Sequence, residues 1–254
     1  MLNTHGNKIT WLGHSTFTVT NPSGHVVLFD PWTEGNPACP PHLRKLPRVD
    51  VILLSHARSD HLGDLLSIAA THKPQVVAIF ETYLWLESKG VANLHPMGKG
   101  GTQKVGEVEV TMVNAHHSNS IEENGQRIYA GEPAGYIARF PGGFTLYHAG
   151  DTCIFGDMKL IGELYKPDLA MLPIGDIFTM GPREASYAIR LLGVKHVIPM
   201  HFATFPMLTG TPEALRKESG DITGLEIHVM KPGETIGHDE PRKNSHENYQ
   251  HSGS

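Results

Sequence analysis

Apolar residues recur along this chain in short continuous or alternating runs, separated by glycine-, proline- and polar-rich stretches, which is the pattern of half-buried and fully buried strands. The runs predict strands over residues 9–19, 26–29, 51–54, 76–80, 105–113, 136–140, 144–148, 169–174, 196–200 and 226–230. Between them the apolar spacing changes to three and four, predicting helices over 62–72, 81–89, 158–165, 182–192 and 212–219. The fourth opens with Pro182, a residue suited to a first helical turn. Strands and helices interleave in both halves, so the expected class is α/β or α+β, with sheets covered by helices. Residues 119–135, NSIEENGQRIYAGEPAG, read as a long polar loop where two roughly similar halves meet. The expected organisation is a single domain over 1–237. A polar, unpatterned tail follows over 238–254, expected to be disordered, with histidines of no consequence.

Composition narrows the function classes. With 254 residues, 39% apolar and 19% charged, the chain can bury a substantial core and is neither fibrous nor disordered. A formal net charge of −5 argues against general affinity for nucleic acid or acidic membranes, which select for excess Lys and Arg. No nucleic-acid or membrane partner is therefore expected. No apolar run approaches the ~18 residues of a membrane span, and MLNTHGNKITWLGH lacks the form of a secretory signal. A cytoplasmic location follows as an expectation. Cys39 and Cys153 cannot build a disulfide framework or a four-thiolate zinc site. Any metal must be held by histidines and carboxylates.

The chain has 17 histidines, and several stand where apolar strands end. WLGHS carries His14, LLSHARSDH carries His56, Asp60 and His61, VNAHHS carries His116 and His117, YHAGDT carries His148 and Asp151, and IPMHF carries His201. Sharp turns after strands let such side chains converge at one sheet edge. A mixed His and Asp set suits Zn, Fe, Mn or Co better than metals that want thiolates or mostly oxygens.

HARSDH, HHS, HAGDT and PMH, in that order, resemble the H-x-H-x-D-H series of the metallo-β-lactamase fold superfamily. WLGHSTF, DPW, DHLGD, the segment from YHAGDT to GPREA, and VIPMHFATFP are similar to its uncharacterised metal-dependent hydrolase branch, related to the ascorbate-phosphate lactonases. The resemblance runs over about residues 8–233. It implies a four-layer αββα sandwich with a two-metal centre at one sheet edge. By the same resemblance, His56, position 58 and His117 hold the first metal, and Asp60, His61 and His201 the second, with Asp151 bridging. The implied chemistry is hydrolysis of a small-molecule ester, lactone, amide or phosphoester bond by metal-activated water. Asp60 would orient water or transfer a proton, and His14 would contact substrate at the site edge. A homo-oligomer, as in the related lactonases, stays open.

Position 58 departs from the pattern, because the family's histidine is replaced by Arg58. A guanidinium has donors and no lone pair, so it cannot ligate a cation. The expectation is one metal, Zn or else Mn or Fe, with Arg58 near the impaired first site. There it would pair with Asp151 or a substrate anion and take over part of a metal's electrostatic role. The alternatives are a pseudo-enzyme or ligand-binding protein on the same fold, and a site variant of a dinuclear hydrolase. His148 is expected to pack or hydrogen-bond rather than ligate, and Cys153 to be a small buried hydrophobe. Asp176 either caps the helix at Pro182 or lines the pocket.

Overall fold

The computed structural model describes residues 1–237, and the tail expected over 238–254 lies outside the described residues. The first apolar run is not one strand. Gly13 and His14 adopt positive φ, 99° and 55°, and fold the run into an antiparallel pair, β1 (Lys8–Gly13) and β2 (Thr16–Thr20). Gly13 takes that conformation without a steric penalty, whereas His14 is held in it at a cost of order 1–3 kcal/mol. The run over 105–113 divides in the same way at a Gly106–Glu107 turn, giving β7 (Thr102–Val105) and β8 (Val108–Asn114).

The first sheet adds β3 (Val26–Phe29), β4 (Val51–Leu53), β5 (Gln75–Ile79), β6 (Leu94–Met97) and the returning β16 (Thr235–Ile236), in the order β16-β1-β2-β3-β4-β5-β6. The second contains β11 (Ala134–Arg139), β12 (Thr145–His148), β13 (Leu169–Pro173), β14 (His196–Met200) and β15 (Glu226–Ile227), in the order β15-β14-β13-β12-β11-β8-β7. Both sheets begin with antiparallel strands and continue with parallel ones. The two halves therefore meet between Met97 and Thr102, not at 119–135.

Residues 119–135 are not simply a loop. They include a hairpin of β9 (Ser120–Glu123) and β10 (Gln126–Tyr129), closed by Asn124 and Gly125 at φ 52° and 73°. Asn-Gly with both residues at positive φ is the two-residue turn whose twist matches antiparallel strands.

Alternation within the strands builds the layers. Val51 and Leu53 of β4 face Val110, Met112 and Tyr136 of the other sheet in a shared core. Ile52 points outward onto Leu65 and Ile68 of α2 (Leu65–His72) and Leu86 of α3 (Phe80–Ser88). In the second sheet, Leu169 and Met171 point inward, while Ala170 and Leu172 meet α4 (Met158–Tyr165), α5 (Pro182–Leu192) and α6 (Pro212–Glu218). Strands buried on both faces read as continuous apolar runs, as they do here. The order helix–sheet–sheet–helix is the expected αββα sandwich. Tyr136 ties the sheets together by donating its hydroxyl to Leu54 O at 2.7 Å. Among the described residues no helix is long and apolar enough to cross a membrane.

Candidate metal centre

Strand direction explains why distant residues meet. In the first sheet β1 and β4 run the same way, and in the second β8, β12 and β14 do. His14, His56, His117, Asp151 and His201 each follow the C-terminal end of one of these strands. Asp60 and His61 join them from α1 (Ser59–Leu62), which breaks from α2 at Gly63.

Asp151 Oδ2 is the focus of the cluster. It lies 3.1 Å from His201 Nε2, 3.2 Å from His61 Nε2, 3.6 Å from His117 Nε2 and 3.8 Å from His56 Nε2. Asp60 Oδ2 stands 3.9 Å from His61 Nε2 and 3.2 Å from His14 Nε2. Two overlapping sets, His56/His61/Asp151 and His14/Asp60/His61/His201, each bring their ligand atoms within 4.8 Å of one another.

Proton positions follow from the hydrogen bonds behind the site. Ser55 Oγ donates to Asp30 Oδ2 at 2.7 Å, so its contact with His56 Nδ1 at 3.0 Å is one in which the imidazole donates. His61 Nδ1 likewise donates to Asp30 Oδ2 at 2.7 Å. Both rings are thereby set with bare Nε2 lone pairs facing Asp151. His56 Nε2, His61 Nε2, both ring nitrogens of His201, and Asp151 Oδ1 are buried and have no aligned hydrogen-bond partner. Close approach of lone pairs and a carboxylate without hydrogen-bond geometry is repulsive unless a cation is shared, so these residues fit a bound metal.

The electrostatics agree for His56 and His14, whereas His61 is drawn toward a protonated form whose proton a bound cation would replace. Burial pushes the His56 imidazole down to about 3 and that of His14 to about 4, keeping both neutral and able to offer lone pairs. Burial also disfavours charge on His61, but Asp151, Asp30 and Asp60 raise it well above its usual value. Asp60 and Asp151 are lowered despite burial, Asp60 chiefly by His61 and His14, and Asp151 by His201 and His61. Negative charge is concentrated where a cation would sit.

Arg58 does not pair with Asp151 as expected. Its Nη1 lies 3.1 Å from His117 Nε2, and because arginine only donates, the lone pair of His117 is taken. The guanidinium also stands 5.7 Å over the ring of Phe178, at the rim of a cleft of about 360 Å³. Asp60, Asp151 and His201 line that cleft, with Trp32, Phe178, Phe205 and Met207 as apolar walls. His14 is fully buried and does not line it. Its Nε2 meets Asp60 and its Nδ1 meets Thr204 Oγ1 at 2.9 Å, so it holds Asp60 in place instead of touching substrate.

The remaining candidates separate clearly. His148 donates from Nε2 to Ser15 O and accepts at Nδ1 from Gly150 N, a structural role with both nitrogens used. His116 stacks on Phe155, 4.9 Å between ring centroids, and contacts Asn114, leaving His117 to face the cluster. Cys153 is exposed, contrary to the buried position expected. Asp176 does not cap α5, whose first turn has no side-chain cap; its Oδ1 accepts from Ile177 N in the turn before Phe178.

Sequence reasoning missed Asp30, although it too ends an apolar strand, and missed its partner Ser55. It also missed His196, Glu226 and His228, a second group that could hold a metal, at the opposite end of β14. Because Asp30 fixes two imidazoles through fully buried contacts, Asp30→Ala is expected to weaken metal affinity about tenfold to a hundredfold. Competition with a chromophoric chelator measures this, and unchanged affinity would remove Asp30 from the site.

Residues 25–202 match the family model described as the beta-lactamase superfamily domain. A UPF0173 metal-dependent hydrolase of Koribacter versatilis is 54% identical over 230 residues, covering 91% of this chain and 97% of that protein. A UPF0173 metal-dependent hydrolase of Rubrobacter xylanophilus is 51% identical over 234 residues, covering 91% and 97%. Among solved structures, Igni18, a metallo hydrolase from the hyperthermophilic archaeon Ignicoccus hospitalis, superposes with a TM-score of 0.80 at 33% identity, covering 91% of this chain and 97% of that one.

Proposed function

The chain belongs to the beta-lactamase superfamily, among the UPF0173 metal-dependent hydrolases, and from that premise we propose that it hydrolyses an ester, lactone, amide or phosphoester bond of a small molecule in the cytoplasm. The observation that carries the proposal is the set of buried, unpartnered Nε2 lone pairs turned toward Asp151 by Asp30 and Ser55. His61, His201, Asp151 and Asp60 would hold one ion, zinc or else manganese or iron, with His56 adjoining. His117 is engaged by Arg58. A bound divalent cation supplies Lewis acidity, polarising the scissile carbonyl or phosphoryl group and acidifying water.

The chain's own groups supply the rest. Asp60 lines the cleft, is held ionised by His61 and His14, and is placed to take a proton from attacking water and pass it to the leaving group. His14, held by Thr204, fixes the carboxylate's direction. The apolar walls at Trp32, Phe178 and Phe205 exclude water around the reacting centre. Arg58 places a fixed positive charge at the rim, where developing negative charge on substrate can be met.

One observation favours a second reading, a ligand-binding protein without turnover: the guanidinium takes the very lone pair that a first metal would need. The test is a panel of esters, lactones, amides and phosphodiesters with protein stripped by chelator and reloaded with Zn, Mn or Fe. The hydrolase shows chelator-sensitive turnover that falls about a hundredfold or more in Asp60→Ala and His201→Ala. Metal binding with no turnover on any bond class would select the second reading.

A further inference from the structure

Arg58 is shared by two clefts. Beyond the metal-side cleft, a second one of about 420 Å³ lies between the segment 57–62 and the β9–β10 hairpin, and Arg58 and Ser59 line both. The hairpin is firmly seated. Ile121 packs with Ala57 and Ala130, Trp85 Nε1 donates to Glu123 Oε2 at 3.3 Å, and Lys89 forms an ion pair with the same carboxylate. Glu123 is therefore committed to α3 and not to its own strand neighbours.

That arrangement leaves Arg127 uncompensated. Its cross-strand partner in register is Glu122, yet the two form no ion pair, and Arg127 has no protein hydrogen bond among the described residues. Arg58 gives one donor to neutral His117 and meets no carboxylate among the described residues. Ser59, Ser118 and Ser120 line the same cleft, and their hydroxyls are also without protein partners among the described residues. Two guanidiniums and three free hydroxyls around one concavity make a donor-rich surface. Such a surface matches the bidentate and multiple acceptor geometry of a carboxylate or phosphate group.

We infer that the cleft between Arg58 and Arg127 binds an anionic oxygen-rich group, carboxylate or phosphate, carried by the substrate at a distance from the bond cleaved. The inference rests on the hydrolase reading only in treating that group as part of a substrate; anion binding itself stands apart from turnover. Arg58 links the two clefts, so a molecule seated by its acid on Arg127 and the serines would pass Arg58 and present its other end to Asp60 and Asp151. Glu122 also lines this cleft, and its negative charge would oppose the anion, which gives the site a residue whose removal has the opposite sign.

The experiment titrates succinate, inorganic phosphate and neutral succinamide into metal-loaded full-length protein by calorimetry. The wild type, Arg127→Ala and Glu122→Gln are compared, with metal content checked in each. Arg127→Ala is expected to weaken succinate or phosphate about tenfold, the scale of one charged hydrogen bond. Glu122→Gln is expected to tighten the same ligand, and succinamide to respond to neither change. A response confined to succinate assigns a carboxylate, and one confined to phosphate assigns a phosphate; either supports the inference. Anion affinities identical in all three proteins would place the anion on the metal alone and overturn it. That outcome leaves the hydrolase reading intact, whereas absent turnover with Arg127-dependent binding would defeat only the hydrolase reading.

Discussion

Replacing Arg58 with histidine is expected to raise metal content from about one to about two divalent ions per chain and to increase hydrolysis about tenfold or more. Two effects act together. The substitution supplies a third imidazole beside His56 and His117, and it removes a fixed positive charge that now stands 3.1 Å from His117 Nε2. A cation entering the first site must displace that hydrogen bond and approach the guanidinium, so like-charge repulsion and ligand loss both oppose it. Arg58→Ala separates them. It frees His117 without supplying a ligand, and its affinity for a second ion is expected to fall between those of the present chain and Arg58→His.

Elemental analysis reads the count, with one control. His196, Glu226 and His228 form another group able to hold a metal, so the comparison is repeated with His228→Ala to keep the tally confined to the sheet-edge centre. Two ions in the unaltered protein after that control would mean that Arg58 releases His117 while remaining over Phe178 at the rim. The mononuclear assignment would then be wrong.

Much of the candidate centre was legible because most of its residues obey a simple rule, following apolar strands that share one direction within each sheet, while Asp60 and His61 come from α1. His14, His56, His117, Asp151 and His201 all satisfy it, and the family resemblance supplied their order. Asp30 satisfies it equally, ending β3, but sequence alone offers no reason to look behind the ligands for the carboxylate that orients them. The role of His14 was misread because a strand-end position tells nothing of burial. Only its complete burial and its contact with Asp60 show that it backs that carboxylate instead of facing solvent.

The fold shows the same division. Runs buried on both faces, such as Val51–Leu53 and Leu169–Pro173, are found near their predicted bounds. β6, with His95 and Pro96 among its four residues, gives no apolar signal because it lies at a sheet edge, where proline and polar residues are tolerated. The hairpin at 120–129 was hidden by its composition. Every residue of β10 is exposed, so no alternation marks it, although Asn124–Gly125 was a turn signal in plain view.

Asp151→Asn is expected to abolish metal retention and to lower any turnover about a thousandfold or more, near 4 kcal/mol of transition-state stabilisation. The change preserves volume and removes only the charge on which four imidazole nitrogens converge. A neutral amide offers one weak oxygen ligand, and its NH₂ would occupy a lone pair needed by His61 or His201. Metal-induced stabilisation supplies a readout free of any substrate. A ligand present at a hundredfold over its dissociation constant stabilises the folded state by about 2.7 kcal/mol, and loss of binding erases that gain. Thermal unfolding with and without zinc should therefore show a rise in midpoint for the parent chain and none for Asp151→Asn. If the variant keeps the full rise, the ion sits elsewhere, and His196, Glu226 and His228 become the site to remove next. If the rise is lost while no turnover existed to lose, the metal centre stands and the chain binds its ligand without cleaving it. The thermal measurement thus separates where the metal binds from what the protein does with it.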